Sequence, residues 1–358
     1  ESGTIRHGHA DRPEVVLTPT AGSGPGSMAL GRQGVMATPI ALVALVLALV
    51  VLGAGAWLAV GAGRDLLGGS DGPQPLRPIE QTGPNRAIVV DPVNGHFASL
   101  AEAVAEARPG DRIELHPGTY QAEVVIDKDI AIEGVGARDE IFVEPLPLAE
   151  GERLTDRRRV LFRIDHAAAI LRGFTLLGSD HGTAVLIEGG APILEDLLID
   201  PAGDMVTGGP NQPREAMEVR DGGSPTIRDS VLKSLAHLDD GATPTFEGVE
   251  FRLGCLHVQG QGTSPSVRAS SFVGSDCPGF SISVADGAHV DVAAGDIDSR
   301  PGQAGIRVAN DGSSADITGT SISGGAEGVL VGPGATVTFQ RSNAQEAAVG
   351  IKVQDGEL

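Results

Sequence analysis

The stretch HFASLAEAVAEARPGDRIELHPGTYQAEVVIDKDIAIEGVG, residues 96–136, decides the fold of this chain. In its first part, apolar residues recur at three- and four-residue steps, which predicts a short helix over residues 99–107. Ser99 stands where an N-cap belongs, and Pro109 with Gly110 ends the helix. The apolar period then changes to two, which predicts short strands: Arg112–Leu115, Val124–Ile126 and 130–132.

The same stretch resembles a known family. A short alanine-rich helix followed by PGDRIELHPGTYQAEVVIDKDIAIEG resembles the N-terminal segment of right-handed parallel β-helix proteins, the pectin-lyase-like superfamily. The resemblance implies an all-β fold, a right-handed parallel β-helix solenoid with a short N-terminal capping helix. Enzymes and non-enzymes share this segment, so the resemblance leaves the activity open. The matching residues are Ala103, Ala107, Pro109, Gly110, Asp111, Pro117, Gly118, Thr119, Tyr120, Glu123 and Gly134.

Beyond residue 136, short apolar strands recur beside small turns at a nearly constant interval. The segments AVLIEGG (184–190), AMEVRDGG (216–223), FSISVADG (280–287) and GIRVANDG (305–312) follow one pattern. The interval suits one solenoid coil of three short strands, so residues 87–358 would hold roughly eight to ten coils. Alternating side chains are then expected to point inward and stack as rows of Ile, Val and Leu.

The N-terminal part has a different composition. Residues 1–36 are rich in Gly, Pro, Ser and Thr, which predicts a flexible polar segment. Residues 37–63 contain no charged side chain and predict a transmembrane α-helix acting as a signal anchor, whose apolar centre would span ~31 Å. The alternative is a cleaved signal peptide that starts at Met28, with Arg32 as its positive segment. Residues 64–86, rich in Pro and Gly, are interpreted as a tether.

Together these segments predict a single-pass membrane protein whose β-helix domain, residues 87–358, is extracytoplasmic. The orientation rests on the resemblance, because the positive charges that flank residues 37–63 show no useful bias. An alternative is the ectodomain of a bacterial receptor Ser/Thr kinase whose catalytic domain precedes residue 1. The formal net charge is −21, and this acidic excess argues against a nucleic-acid partner.

Catalytic motifs of the resembled superfamily are incomplete here. Residues 118–123 resemble pectin methylesterases, but the QDTL and DFIFG segments that supply the catalytic aspartates of those enzymes have no counterpart. Of the polygalacturonase elements NTD, DD, GHG and RIK, only the DD pair is matched. Residues 162–166, FRIDH, resemble the WIDH stretch of pectate lyases and are interpreted as the end of a strand. The sequence therefore predicts no catalytic residue, and the weak candidates are Asp165, His166, Asp239 and Asp240.

Metal and disulfide sites stay open at this stage. Asp286 and Asp311 each belong to a turn that leads into a glycine, and a stacked ladder of such carboxylates can bind Ca²⁺. Tight turns also prefer Asp-Gly for conformational reasons, so no cofactor is predicted. Cys255 and Cys277 are about one coil apart in sequence, so stacking of the coils would bring them within the distance of a disulfide. Such a bond would fit an oxidising compartment. Aligning the neighbouring strands does not place the two cysteines at equivalent positions, so the pairing is left undecided.

The sequence favours a non-catalytic ectodomain that binds or senses a glycan or protein ligand along its solenoid face. A polysaccharide lyase or a pectinesterase-like enzyme is the alternative. Sugar rings usually stack on Trp or Tyr, and the predicted β-helix domain contains only Tyr120. A hydrogen-bonding groove needs few aromatic side chains, so this scarcity does not exclude a glycan.

Overall fold

The computed structural model describes residues 85–147, 159–178, 182–201 and 215–354. These residues form an all-β, right-handed parallel solenoid of about 10 coils, which confirms the predicted fold class. The predicted polar segment (1–36), the predicted membrane helix (37–63) and nearly all of the predicted tether (64–86) lie outside the described residues. Among the helices of the described ranges, none has the length and apolar character needed to cross a membrane.

Each full coil contributes one strand to each of three parallel sheets. Sheet A consists of β1 (Ala87–Val90), β2 (Arg112–Leu115), β5 (Ala131–Gly134), β8 (Ile170–Arg172), β11 (Ile193–Glu195), β14 (Thr226–Arg228), β17 (Thr245–Glu247), β20 (Ser266–Arg268), β23 (His289–Ala293), β26 (Ser314–Thr318) and β29 (Thr336–Gln340). Sheet B consists of β3 (Gly118–Gln121), β6 (Ile141–Glu144), β9 (Thr175–Leu177), β12 (Leu198–Asp200), β15 (Val231–Leu232), β18 (Glu250–Arg252), β21 (Ser271–Val273), β24 (Asp296–Ser299), β27 (Ser321–Gly324) and β30 (Asn343–Gln345). Sheet C consists of β4 (Val124–Ile126), β7 (Arg159–Asp165), β10 (Gly182–Glu188), β13 (Glu215–Arg220), β16 (Leu235–Leu238), β19 (Cys255–Gln259), β22 (Phe280–Ala285), β25 (Ala304–Val308), β28 (Glu327–Val331) and β31 (Val349–Val353).

The core consists of rows of apolar side chains that repeat from coil to coil. Successive side chains of a strand point to opposite faces, so every second side chain points to the interior. In sheet A the register stacks these inward residues directly above one another, and all but the last are buried. The row is Ile113, Ile132, Leu171, Leu194, Ile227, Phe246, Val267, Val292, Ile317 and Phe339.

The corners between sheets A and B are uniform. From β8 onward, every such corner in the described chain has two residues, and the backbone of the first is left-handed, as at Gly173 (φ 74°) and Asp196 (φ 49°). The second residue is small or apolar and mostly buried. Where it is Ser230, its hydroxyl accepts a hydrogen bond from Leu197 N (3.1 Å) and donates one to Arg228 O (2.8 Å). These bonds satisfy buried backbone groups and fix the bend.

The N-terminal coil contains the predicted helix, α1 (Leu100–Glu106). Ser99 Oγ accepts the Glu102 amide at 3.4 Å as its N-cap, which confirms the capping prediction. The buried side of α1 packs against β1 and β4. Arg86, which the sequence placed in the tether, instead belongs to the folded domain, because its guanidinium is buried against Asp111 at 2.6 Å.

One short 3₁₀ helix, η1 (Arg138–Glu140), precedes β6. It lies immediately before a segment, residues 141–159, whose broken rhythm in the sequence predicts a projecting loop. That prediction is wrong for Ile141–Glu144, which forms β6 and pairs in parallel with β3. The two prolines that follow hide the strand pattern in the sequence, since strand interiors rarely contain proline.

Candidate functional site

The outer face of sheet C presents one continuous row of side chains, here called the central row. Its members alternate along their strands with buried inward residues such as Ile164 and Val185, so they point away from the core. The strand register places each directly over the next. The row runs Arg163, Leu186, Glu218, His237, His257, Ser283, Arg307, Leu330 and Lys352.

Arg163, the first member of this row, also belongs to an arginine cluster, defined as Arg163, Glu188 and Arg220. Arg163 Nε donates to Oε2 of Glu188, while Arg220 donates to Oε1 through Nε (3.0 Å) and through a second guanidinium nitrogen. Arg220 also lies 3.5 Å from Glu218. The hydrogen bond to Glu188 raises the pKa of Arg220 above its usual value. A buried carboxylate is stable only when paired, and here two arginines pair with it.

The cluster exposes its cations and buries its anion. The side chains of Arg163 and Arg220 are 47% and 40% exposed, whereas that of Glu188 is 7% exposed. Within the described residues, Nε is the only nitrogen of the Arg163 guanidinium that donates a hydrogen bond. A guanidinium has five N–H donors in a planar fork, so those of its two terminal nitrogens remain available to an anionic group of a ligand. On a chain of net charge −21, these donors mark a local position at which an anionic group can be bound.

Asp165 and His166, two of the weak catalytic candidates, adjoin the arginine cluster. Asp165 ends β7 in register with Glu188, so the interpretation of this segment as a strand end is confirmed. The Asp165 carboxylate lies 2.7 Å from His166 Nδ1, and this hydrogen bond lowers the pKa of Asp165. The His166 ring is 68% exposed and sits on a left-handed residue at the corner after the strand. These two candidates are brought together with Glu188 and Arg163.

Asp239 and Asp240 lie three coils beyond Asp165, at the corner that follows β16. Asp239 accepts a hydrogen bond from Gln259 Nε2 at 3.3 Å. Asp240 shares a hydrogen bond with the Asp221 side chain of the preceding coil, and this contact raises the pKa of Asp240. Among the described residues no contact joins either aspartate to Asp165 or His166, so the structure does not assemble the four candidates into one site.

A histidine pair, His237 and His257, follows the cluster on the central row. The rings stack with centroids 5.3 Å apart and planes inclined by 13°. His237 Nδ1 lies 3.8 Å from Oε1 of Glu215, whose other oxygen accepts the Thr183 hydroxyl at 2.9 Å. The contact with Glu215 raises the pKa of His237, and burial lowers the pKa of His257. Adjacent groups with opposed shifts are typical of functional sites.

A disulfide bond joins strand β19, which carries His257, to a neighbouring loop. Cys255 points outward two residues before His257 on β19, and it is joined to Cys277 with the Cα atoms 6.1 Å apart. Cys277 lies in the connection of residues 274–279, not in a strand, so the bond forms although the aligned strands place the cysteines at different positions. Gln303 Nε2 also holds this connection by donating to Cys277 O at 2.7 Å. The connection ends at Phe280, whose ring is 5.9 Å from that of His257.

The Ca²⁺ candidates do not form a cation site in the described residues. Asp286 accepts a hydrogen bond from Asn310 Nδ2 at 2.6 Å, and Asp311 lies against Gly334. Across the described ranges, the side chains close enough to share a metal ion are His289, Asp291 and Asp316 on the outer face of sheet A. Both of these aspartates are 53% exposed, as surface carboxylates without an ion often are.

Two other features are structural. A groove of about 470 Å³ at the corner before the first strands of sheet A contains Asp111, which is already paired with Arg86. Tyr120 is buried and donates to His116 O at 2.6 Å, and burial raises its pKa to about 12. The one tyrosine of the chain is therefore unavailable as a platform for a sugar ring.

The histidine pair and the partners of Arg163 were missed by sequence reasoning. His237 and His257 appeared scattered, because coil lengths vary and only the strand register places them together. A usable signal existed for the arginine cluster. In the aligned segments AVLIEGG and AMEVRDGG, Glu188 and Arg220 occupy the same position, which predicts that they are neighbours across adjacent coils.

No protein-family model matches the sequence, and no curated protein matches it. Among solved structures, the pectate lyase Pel9A is similar over 74% of this chain and 80% of its own, with 14% identity and a TM-score of 0.42. An alginate lyase from Paenibacillus sp. str. FPU-7 is similar over 76% and 99%, with 12% identity and a TM-score of 0.41. Pectin methylesterase PemA from Erwinia chrysanthemi is similar over 66% of this chain and 81% of its own, with 12% identity and a TM-score of 0.37. These similarities concern the coil architecture, and no residue role is taken from them.

Proposed function

We propose that the chain binds an extended anionic glycan, one that carries uronate carboxylates, along the outer face of sheet C. The observation that carries this proposal is that the arginine cluster buries its anion and exposes its cations. The buried Glu188 carboxylate forms hydrogen bonds to two exposed guanidinium groups. Because Glu188 fixes these groups in advance, less rotamer entropy is lost when an anion binds to them. Planar carboxylates match the geometry of the guanidinium fork.

The polarity of the face favours a glycan over a protein partner. Protein interfaces depend on a few large apolar or aromatic anchors. From β7 to β28 no large hydrophobic side chain on this face is exposed, and the outward-pointing Leu186 is 7% exposed. A ligand rich in hydroxyl groups suits such a surface, since it can form hydrogen bonds along the row without apolar contacts.

We also propose that residues 37–63 anchor the protein in a membrane with the solenoid outside the cytoplasm, and that α1 closes the N-terminal end of the core. The apolar, uncharged sequence of residues 37–63 supports the anchor, and the buried residues Leu100, Ala103 and Val104 support the closure. Partition of the whole chain into membrane fractions after carbonate washing, compared with a variant lacking 37–63, tests the anchor. Recovery of both proteins in the soluble fraction would reject it.

Binding is tested by calorimetry with the whole chain and hexagalacturonate. Arg163→Gln is expected to weaken binding by roughly 10- to 100-fold, since a hydrogen bond to a charged group contributes about 1.5–3 kcal/mol. The matched control is Arg172→Gln on sheet A, which removes the same charge from another face and is expected to leave the affinity nearly unchanged. Cellohexaose, a neutral oligosaccharide of the same length, serves as the control ligand.

Two results would reject the proposal. One is the absence of saturable binding to hexagalacturonate and to other oligouronates. The other is an equal loss of affinity in Arg163→Gln and Arg172→Gln, because it would show that net charge and not the sheet C face decides binding. Equal affinity for the neutral control would likewise exclude a uronate-specific site.

Cleavage of such a glycan is the second candidate function. It is favoured by the hydrogen bond between Asp165 and His166, since a carboxylate-oriented imidazole beside two substrate-binding arginines is suited to proton transfer. Mass spectrometry of hexagalacturonate after prolonged incubation tests this activity. Shortened products that disappear in His166→Gln would support it, and intact hexasaccharide would leave binding as the function.

A further inference from the structure

The histidine pair is followed on the central row by a second group of hydrogen-bond donors. Ser283 on β22 is in register with His257 and with Arg307 on β25. Arg307 is exposed and makes no ion pair with any described residue, unlike Arg163 and Arg220. Its charge nevertheless acts on His257 and helps to lower the pKa of that imidazole. A cation without an ion pair among the described residues therefore stands near an imidazole whose pKa is lowered.

The charged groups around His257 come from four strands or corners. His237 on β16 and Arg307 on β25 disfavour its protonation, as burial does. Asp239 after β16 and Asp286 after β22 favour it. The pKa of His237 is itself raised by Glu215, with smaller contributions in the same direction from Glu218 and Asp239. The first proton taken up by the pair is therefore favoured on His237, and a second proton on His257 is opposed by the charges of His237 and Arg307.

An anion placed between His257 and Arg307 would reverse this balance. It would offset the repulsion between Arg307 and a protonated imidazole, and it would accept a hydrogen bond from each of them. The ring of Phe280 lies 5.9 Å from that of His257. Neighbouring strands are about 4.8 Å apart, so the two side chains lie about 10 Å apart along the axis with Ser283 between them.

We propose that His257, Ser283 and Arg307 form a second anion subsite, at which binding of a uronate carboxylate is linked to uptake of one proton by His257. This inference rests on the proposed function and specifies its ligand and its regulation. Glu188 on β10 and Ser283 on β22 are four strand spacings apart, or about 19 Å. The ligand is therefore a chain with several carboxylates, and the protein holds it more tightly as the pH falls.

The test measures the binding of hexagalacturonate to the whole chain between about pH 5 and about pH 8, the interval in which histidine changes charge. In wild type the dissociation constant is expected to fall as the pH is lowered, by up to about tenfold per pH unit for one linked proton. Calorimetry in buffers with different ionisation heats should count about one proton taken up. Digalacturonate, which is too short to reach both subsites, should bind more weakly than the hexasaccharide.

Variants separate the two subsites. His257→Gln is expected to flatten the pH dependence, and Arg307→Gln to weaken binding. Arg163→Gln should lower the affinity at every pH while retaining the pH dependence. His289→Gln on sheet A, which removes a histidine from another face, should behave like wild type. The buffer measurement on wild type needs no substitution, so it remains decisive if His257→Gln fails to fold.

The outcomes are distinct. A pH dependence lost in His257→Gln, with proton uptake in wild type, supports the subsite. Binding without proton uptake, or with a pH dependence unchanged in His257→Gln, overturns this inference and leaves the proposed function intact. No binding of hexagalacturonate or of other oligouronates at any pH overturns both.

Discussion

Two Arg-Glu-Arg triplets occupy the same three coils on different faces of the solenoid. On sheet A, Arg172, Glu195 and Arg228 lie on β8, β11 and β14. On sheet C, the arginine cluster lies on β7, β10 and β13. The residue types are the same, but Glu195 exposes 22% of its side chain and Glu188 exposes 7%.

The two triplets also differ in their neighbours. The sheet A row continues with alternating sign, through Glu133 on one side and Glu247 on the other, so each arginine lies between two acids. On sheet C, the register neighbours of Arg163 are Val125 and Leu186. One triplet is therefore part of a solvated ladder of alternating charge, whereas the other contains an arginine, Arg163, that has no acidic register neighbour. Burial and neighbours, more than residue type, distinguish a surface ladder from a binding site.

The largest expected effect comes from the disulfide, which supports the sheet C face and has no counterpart on the described part of sheet A. Replacing Cys255 and Cys277 together by serine should lower the free energy of unfolding by about 3 kcal/mol, because the bond closes a loop of about one coil. Denaturant unfolding of the whole chain measures this change. An unchanged midpoint, or equal masses with and without reductant after thiol alkylation, would show that the bond is absent.

The second effect compares the two triplets directly. Arg220→Gln should lower the free energy of unfolding by about 2 kcal/mol, because it leaves the buried Glu188 with one partner. Solvent reaches Arg220, so the loss stays below that of a fully buried pair. Arg228→Gln on sheet A should cost less than about 1 kcal/mol, as exposed pairs do. Equal losses in the two variants would contradict the distinction between the faces.

The third effect depends on pH. The pKa of His237 is raised in the folded protein by Glu215, so its stabilising contribution is present below about pH 6.5 and is lost as the pH rises through the raised value. The stability gap between wild type and His237→Gln should therefore be wider at about pH 6 than at about pH 9. A gap that widens with rising pH would refute this assignment.

The smallest effect is expected in the sheet A ladder. Hydrogen bonding to Arg228 lowers the pKa of Glu195, so its contribution is present above the unfolded pKa and is lost as the pH falls through the folded value. Glu195→Gln should change the free energy of unfolding by only about 0.5 kcal/mol near neutral pH, and added salt should reduce the difference. A larger effect that is insensitive to salt would mean that the ladder is less solvated than its exposure indicates.

The fold could be predicted because its determinants are local and repeated. One continuous stretch of sequence encodes both the helix before Pro109 and the two-residue alternation of the following strands. Each later coil repeats the same pattern of inward apolar residues. The strand Ile141–Glu144 was missed because Pro145 and Pro147 follow it closely. Local rules describe such a segment as a loop even when its neighbours in space make it a strand.

The site could be predicted only in part because it depends on register. Asp165 and His166 were noticed since they are adjacent in sequence, and the structure places them beside the arginine cluster. His237 and His257 belong to coils of different length, so no fixed spacing reveals their stacking. Burial of Glu188 is likewise invisible in the sequence, because outward positions of a strand are ordinarily exposed.

The uniform two-residue corners between sheets A and B have an evolutionary consequence. An insertion at such a corner would push apart buried groups that bond from coil to coil, as Ser230 does with Leu197. The connections from sheet B to sheet C vary in length and include residues 145–158 and 201–214. Changes in loop length should therefore accumulate along the edge that borders the binding face. Under the proposed function, such changes diversify what the protein recognises while its scaffold stays constant, as antibody domains do with their variable loops.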